Sequence, residues 1–118
     1  MRLIRTSDVS DEQRSGYSIK RLFTKSLADY SPRDIGLYQT TIRPDSRCPC
    51  HCHNKLLEIL FFHTSAVMMI NSKRYEVLPK DYVIIEAGEQ HEIIAEGKEA
   101  VVLTAVKIPN IIDDRSEP

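Results

Sequence analysis

The sequence predicts an all-β domain, a sandwich or a closed barrel built from about seven or eight short strands. Three observations predict it. Apolar and β-branched runs recur between turn residues, no stretch carries a convincing 3.6-residue period, and 118 residues are enough for one core but too few for two.

The strands follow in order. Strand-like runs cover residues 36–43, 50–53, 57–63, 66–70, 74–78, 82–85, 91–94 and 100–107. Asn71-Ser72-Lys73 lies between two apolar runs as a hairpin loop would. Pro44-Asp45, Pro79-Lys80-Asp81 and Ala87-Gly88-Glu89 punctuate the others. Residues 1–35 are polar and mixed, with an apolar-leaning stretch at 19–23 and a turn signal at Ser31-Pro32-Arg33-Asp34. They read as an N-terminal extension, partly strand, that packs on a barrel formed by residues 36–112. Residues 113–118 are polar and charged apart from the last proline, and a frayed tail is expected there. Leu57-Glu58-Ile59-Leu60-Phe61-Phe62 and Tyr82-Val83-Ile84-Ile85 are apolar at both parities, where a strand with one buried face would alternate. A second cover is expected over them, and a homodimer supplies it.

Composition narrows the function classes. The hydrophobic share is 42% and the charged share 28%, as in soluble globular proteins. Sixteen Lys and Arg against 17 Asp and Glu give a net charge of -1. No surplus of positive charge is available to follow a phosphate backbone, so nucleic acid is not an expected partner. No apolar run approaches the ~18 residues of a membrane span. The first eight residues turn polar and acidic too early for a signal peptide, so the cytoplasm is the expected location. Three cysteines within five residues are an odd number, unsuited to a disulfide framework.

The chemistry concentrates in Cys48-Pro49-Cys50-His51-Cys52-His53, with Glu58 shortly after and His91 much later. Residues i and i+2 of a strand share a face, so His51 and His53 project together, about 7 Å apart at the backbone. Glu58 supplies a carboxylate from the next strand, and His91, after the glycine turn, closes the set. Glu58 also sits inside an apolar run, where an unpaired charge is costly and a bound cation removes the cost. Three imidazoles and one carboxylate suit one divalent transition metal, Fe, Mn, Ni, Cu or Zn, and leave positions open for water or substrate. Calcium and magnesium want more oxygens.

The spacing His51-x-His53-x4-Glu58 resembles the first motif of the cupins, and Gly88-x2-His91 resembles the end of the second. The resemblance spans roughly residues 36–107. It implies a double-stranded β-helix, the jelly-roll barrel of that superfamily, with His51, His53, Glu58 and His91 as metal ligands. The chain departs from the family pattern at Asp45, Ser65 and Lys80, where glycine is usual, and at Glu86, where proline is usual. These are turn positions.

Cys48, Cys50 and Cys52 share the parity opposite to the histidines, so in a regular strand they face away from the metal. A thiolate zinc site joining Cys50 and Cys52 to a histidine is the alternative, disfavoured by that parity. His63 fits no ligand position and reads as structural. Gln39, Arg43 and Tyr82 are polar side chains on predicted strands and are candidates to line the pocket. Cupins with this ligand set include dioxygenases, isomerases and decarboxylases, so the resemblance implies metal-dependent chemistry on a small organic molecule. Dioxygenase-type chemistry leads. The alternative is a non-catalytic module that holds metal and ligand as a sensor or carrier.

Overall fold

The computed structural model describes Arg2 and residues 4–26 and 34–118. Part of the turn signal at Ser31-Pro32-Arg33-Asp34 therefore lies outside the described residues. The fold is a jelly-roll barrel of two antiparallel sheets. Its strands are β1 (Asp11–Gln13), β2 (Tyr17–Ser26), β3 (Asp34–Ile42), β4 (Ser46–His53), β5 (Leu57–Phe62), β6 (Ala66–Ile70), β7 (Lys73–Val77), β8 (Tyr82–Ile85), β9 (His91–Ala95), β10 (Val101–Ile108) and β11 (Arg115–Ser116). One sheet runs in the order β1-β2-β3-β10-β5-β8 and the other β11-β4-β9-β6-β7. Eight of these strands overlap the expected runs, two of them, β6 and β8, end to end.

Period-two burial explains why the runs pair as they do. In β10 the buried set Val101, Leu103 and Ala105 alternates with partly exposed neighbours, and β9 repeats the pattern with His91, Ile93 and Ala95. Ile42, Leu60, Phe62, Met68, Ile85 and Leu103 meet between the sheets at no more than 1% exposure, forming the dry end of the barrel. The outward set on β5 and β8 remains open. Tyr82 is 70% and Ile84 60% exposed, beside half-buried Ile59 and Phe61.

Turn chemistry fixes the register. Ile70 pairs with Lys73, so Asn71 and Ser72 alone form the β6–β7 loop, with φ of 48° and 69°. Two consecutive positive φ values are the signature of a hairpin turn that matches strand twist. Asp45 and Lys80, two of the positions where glycine is usual, adopt φ of 54° and 73°. The turn geometry is kept without the residue that adopts it most cheaply. At Glu86 the backbone N–H that proline would lack donates to the Glu89 carboxylate at 2.7 Å.

Two regions carry more structure than their polarity suggests. The N-terminal segment forms a ten-residue strand, β2, paired along its length with β3 apart from a shift between Arg21 and Phe23. Its inward positions Tyr17, Ile19 and Arg21 line a cavity, so the run lacks the apolar alternation that marks a strand against a dry core. The expectation of a frayed tail at 113–118 is corrected. Asp114 is 8% exposed, and its Oδ2 accepts from the backbone N–H of Lys55 at 2.8 Å and Leu56 at 2.9 Å. Arg115 and Ser116 then pair with His53 and Cys52. A carboxylate that accepts from two backbone amides, that of Leu56 buried, holds a polar tail in place, and hydropathy does not register that.

Relief of the left-handed backbone at Lys80 outweighs the extra chain entropy of glycine, so Lys80→Gly is expected to raise stability by about 0.5–1 kcal/mol. Urea denaturation measures this, and an unchanged or lower midpoint would refute it.

Candidate metal centre

The centre depends on an irregularity in β4. Cys48 pairs with Ile93 of β9 and His51 with His91, so β4 advances three residues while β9 advances two. The extra residue is a bulge at Pro49-Cys50, where proline has no N–H to give a ladder. The bulge turns Cys48, His51 and His53 all inward. Strict alternation would have sent Cys48 outward, and that expectation is corrected: Cys48 is buried and lines the cavity. Burial pushes its thiol up to about 11, against the opposing pull of Arg115, so it stays protonated. Cys50 is half-buried, its Sγ 3.7 Å from Gln90 Oε1, and all three cysteines are free.

His51 and His91 are direct cross-strand partners with ring centroids 4.3 Å apart, and His53 lies 5.1 Å from the first and 5.5 Å from the second. One nitrogen from each ring falls within 4.8 Å of the others, so the three buried histidines could hold a metal ion. Glu58 reaches in from β5 on the opposite sheet. Its Oε1 is 3.5 Å from His53 Nε2 and 3.4 Å from His91 Nε2.

The backbone sets the tautomers. His51 Nδ1 lies 2.7 Å from the Pro49 carbonyl, His91 Nδ1 3.0 Å from that of Glu89, and His53 Nδ1 3.2 Å from that of Asp114. A carbonyl only accepts, so each Nδ1 carries a proton, and Nε2 is the ring nitrogen left to turn toward an ion. On His53 and His91 that nitrogen faces the Glu58 carboxylate, which only accepts. His53 Nε2 is buried with no hydrogen-bond partner among the described residues. A cation between the imidazoles and Glu58 satisfies every one of these atoms, so the donor set fits a metal ion.

Electrostatics agree. Burial, reinforced by the neighbouring His91, pushes His51 down to about 3, so it stays neutral. Burial alone would raise the Glu58 carboxyl, but its contacts with His53 and His91 outweigh this and hold it well below the usual carboxylate range.

A cavity of about 250 Å³ opens from this cluster, walled by Tyr38, Thr40, Leu60 and Leu103. Gln39, Arg43 and Tyr82 do not line it, and those expectations are corrected. Tyr38 and Thr40 take the inward parity of β3, which turns Gln39 to the outer face. Arg43 is exposed just beyond the end of β3. Tyr82 stacks on Phe61 on the outside, ring centroids 4.7 Å apart. His63 also sits outside, its Nε2 2.7 Å from Thr104 Oγ1. Cavity residues that escaped the sequence reading include Tyr17, Tyr38, Cys48, Lys107 and Arg115. Lys107 was within reach, because it shares the parity of Leu103 and Ala105.

Solved structures share this architecture. A predicted oxalate decarboxylase from Thermotoga maritima superposes with a TM-score of 0.78 at 21% identity, covering 90% of this chain and 97% of that one. KdgF from Halomonas sp. gives 0.77 at 12% identity, covering 96% and 97%. A cupin-2 domain protein from Rhodospirillum rubrum gives 0.76 at 16% identity, covering 99% and 80%. No family model and no curated protein matches the sequence. The chain has the cupin fold, with the barrel, the motif spacing and the buried histidine cluster in agreement.

An acid response follows for the metal-free protein. The unfolded chain protonates His51 near its ordinary value of 6.5, whereas the folded chain resists until about 3. Stability therefore falls as pH drops through that window, by at most about 1.4 kcal/mol per pH unit from this group. Glu58, depressed in the folded state, adds a loss of the same sign below its ordinary 4.5. Urea titrations of chelator-treated protein at falling pH are expected to show this slope, and His51→Gln to flatten its upper part. A pH-independent midpoint would contradict it.

Proposed function

We propose that the chain is a metal-dependent enzyme acting on a small organic molecule, with His51, His53, Glu58 and His91 holding one divalent transition metal. The tautomer lock is the observation that supports this most. Three backbone carbonyls fix Nδ1–H on the three rings, leaving Nε2 as the inward nitrogen, and on His53 and His91 it faces a buried carboxylate. The mixed nitrogen and oxygen set favours Fe, Mn, Ni, Cu or Zn. Such an ion supplies a Lewis acid with coordination positions left for dioxygen, water or substrate. The chain's own groups do the remaining work. Leu60 and Leu103 keep one wall apolar and exclude water, while the Tyr38 and Thr40 hydroxyls offer polar contacts on another.

Dioxygenase-type chemistry on Fe or Mn is the reaction we favour, because four protein donors leave room at a six-coordinate ion for dioxygen and a substrate oxygen together. A decarboxylase or isomerase is the second reading, supported by the likeness to the predicted oxalate decarboxylase. Elemental analysis is expected to find about one transition metal per chain, with His51→Ala and His91→Ala each lowering its affinity at least ~tenfold. Unchanged metal content in both variants would overturn the site. Oxygen uptake with Fe(II) or Mn(II) then separates the oxygenase from the non-oxidative readings, and bound metal without turnover would identify a sensor or carrier.

The same reading places the protein in the cytoplasm as a homodimer. Three free cysteines suit a reducing compartment, and among the described residues no helix is long and apolar enough to cross a membrane. The outward face of Ile59, Phe61, Tyr82 and Ile84 is the surface a second copy would cover. Light scattering is expected to give twice the chain mass for the natural sequence and a shift toward monomer for Ile84→Lys. A natural chain that runs as a monomer at high concentration would rule the dimer out.

A further inference from the structure

The cavity carries a set of cationic side chains that the metal cage does not explain. Arg14, Arg21, Lys107 and Arg115 all line it. Its acidic lining is already engaged or lies outside: Glu58 faces the imidazoles, Asp114 is held by the Lys55 and Leu56 amides, and Asp113 is exposed. The cations are not equally engaged either. Arg14 and Arg21 share Glu12 at 3.8 and 3.4 Å, and Arg115 meets the exposed Glu117 at 3.2 Å. Among the described residues Lys107 joins no ion pair. Arg115 keeps its Nε buried and without a hydrogen-bond partner.

Lys107 is also held in place. It follows Leu103 and Ala105 on the inward face of β10 and stands opposite Glu58 in register. Its Nζ lies 4.8 Å from the centroid of the Tyr38 ring, and Arg21 Cζ lies 5.2 Å from the same centroid. Tyr38 is buried; its hydroxyl accepts from Arg21 Nη1 at 3.1 Å and donates to Asn110 Oδ1 at 2.5 Å. Arg115 Nη1 donates to the Tyr17 hydroxyl at 3.1 Å. Two aromatic residues thus hold cations against the same cavity that the metal cage lines. A volume of about 250 Å³ corresponds to roughly eight waters, so the complementary ligand is small.

We propose that this cavity takes a small organic oxyanion, a carboxylate or a phosphate ester, whose charged group is held by Lys107 and Arg115 while its other end reaches the histidine cluster. The assignment rests on the metal-centre reading for that other end only. The charge match stands on the cavity lining itself. Such a ligand supplies the missing partner of Lys107 and an acceptor for Arg115, and a neutral analogue supplies no charge to either.

The test is calorimetric titration of the full chain, metal-loaded and chelator-treated, with malonate, glycerol 3-phosphate and neutral malonamide. Malonate or glycerol 3-phosphate is expected to bind at least ~tenfold more tightly than malonamide, and the better of the two tells carboxylate from phosphate. Lys107→Met is expected to weaken that anion about ten- to hundredfold with metal content per chain unchanged, and Lys107→Arg to recover part of the loss. Should Lys107→Met fail to fold, Arg115→Gln carries the same comparison. Equal affinity for charged and neutral probes, or an unaltered anion affinity in the folded variants, overturns the proposal. If the natural chain binds no metal yet still prefers the anion, the metal reading fails and the oxyanion site stands.

Discussion

One buried charge organises this molecule. Glu58 lies between the two sheets at 6% exposure, in a strand whose other inward residues are Leu60 and Phe62. An isolated carboxylate there would cost several kcal/mol or more, and proteins avoid that by pairing the charge or neutralising it. Here the answer comes from the opposite sheet, where β4 and β9 present three imidazoles. Each ring is held by a backbone carbonyl, so the rings are aimed before anything binds. The sheets are joined at one end by Phe62, Met68 and Ile85 packing, and at the other by this polar junction. Such preorganisation lowers the cost of gathering ligands around an ion, because the side chains have little freedom left to lose.

Much of this was legible in the chain and some was not, for identifiable reasons. His51 and His53 two apart in a strand could be placed on one face without any structure, and Glu58 inside an apolar run announced a partner. The β6–β7 hairpin was legible because Asn71 and Ser72 separate two apolar runs. Cys48 was misplaced because strand parity assumes an unbroken ladder, and the bulge at Pro49-Cys50 adds one residue. Gln39, Arg43 and Tyr82 were misplaced for a related reason. Polarity marks a candidate pocket residue, but only the register against β10 and β5 tells which face it occupies. The N-terminal extension was expected to be partly strand, but the full extent of β2 was not legible, because its inward residues line a polar cavity and apolar alternation is missing there.

The barrel divides its interior accordingly. One end is a close-packed core that supplies rigidity, and the other is a cavity whose walls come from both sheets. Tyr38 belongs to both. It is part of the buried cluster, yet its hydroxyl reaches Arg21 and Asn110 at the cavity side. Gly36 permits that arrangement: a Cβ there would come within 2.7 Å of Tyr38 Cε1 and closer still to Asn110. Cationic side chains along the cavity thus stand on aromatic surfaces fixed by the core, and their positions are set by packing and not by solvent.

The strand pairing of β11 has a consequence for how the protein is made. The carbonyl that fixes the His53 ring belongs to Asp114, 61 residues further along the chain. The same Asp114 carboxylate holds the Lys55 and Leu56 amides that lead into the Glu58 strand. During synthesis the two histidines of β4 leave the ribosome long before Asp114 does, so for that interval His53 lacks the contact that orients it. The ligand cluster is therefore completed only after Asp114 has emerged. A nascent chain halted before Asp114 would carry every ligand and still lack the finished cage.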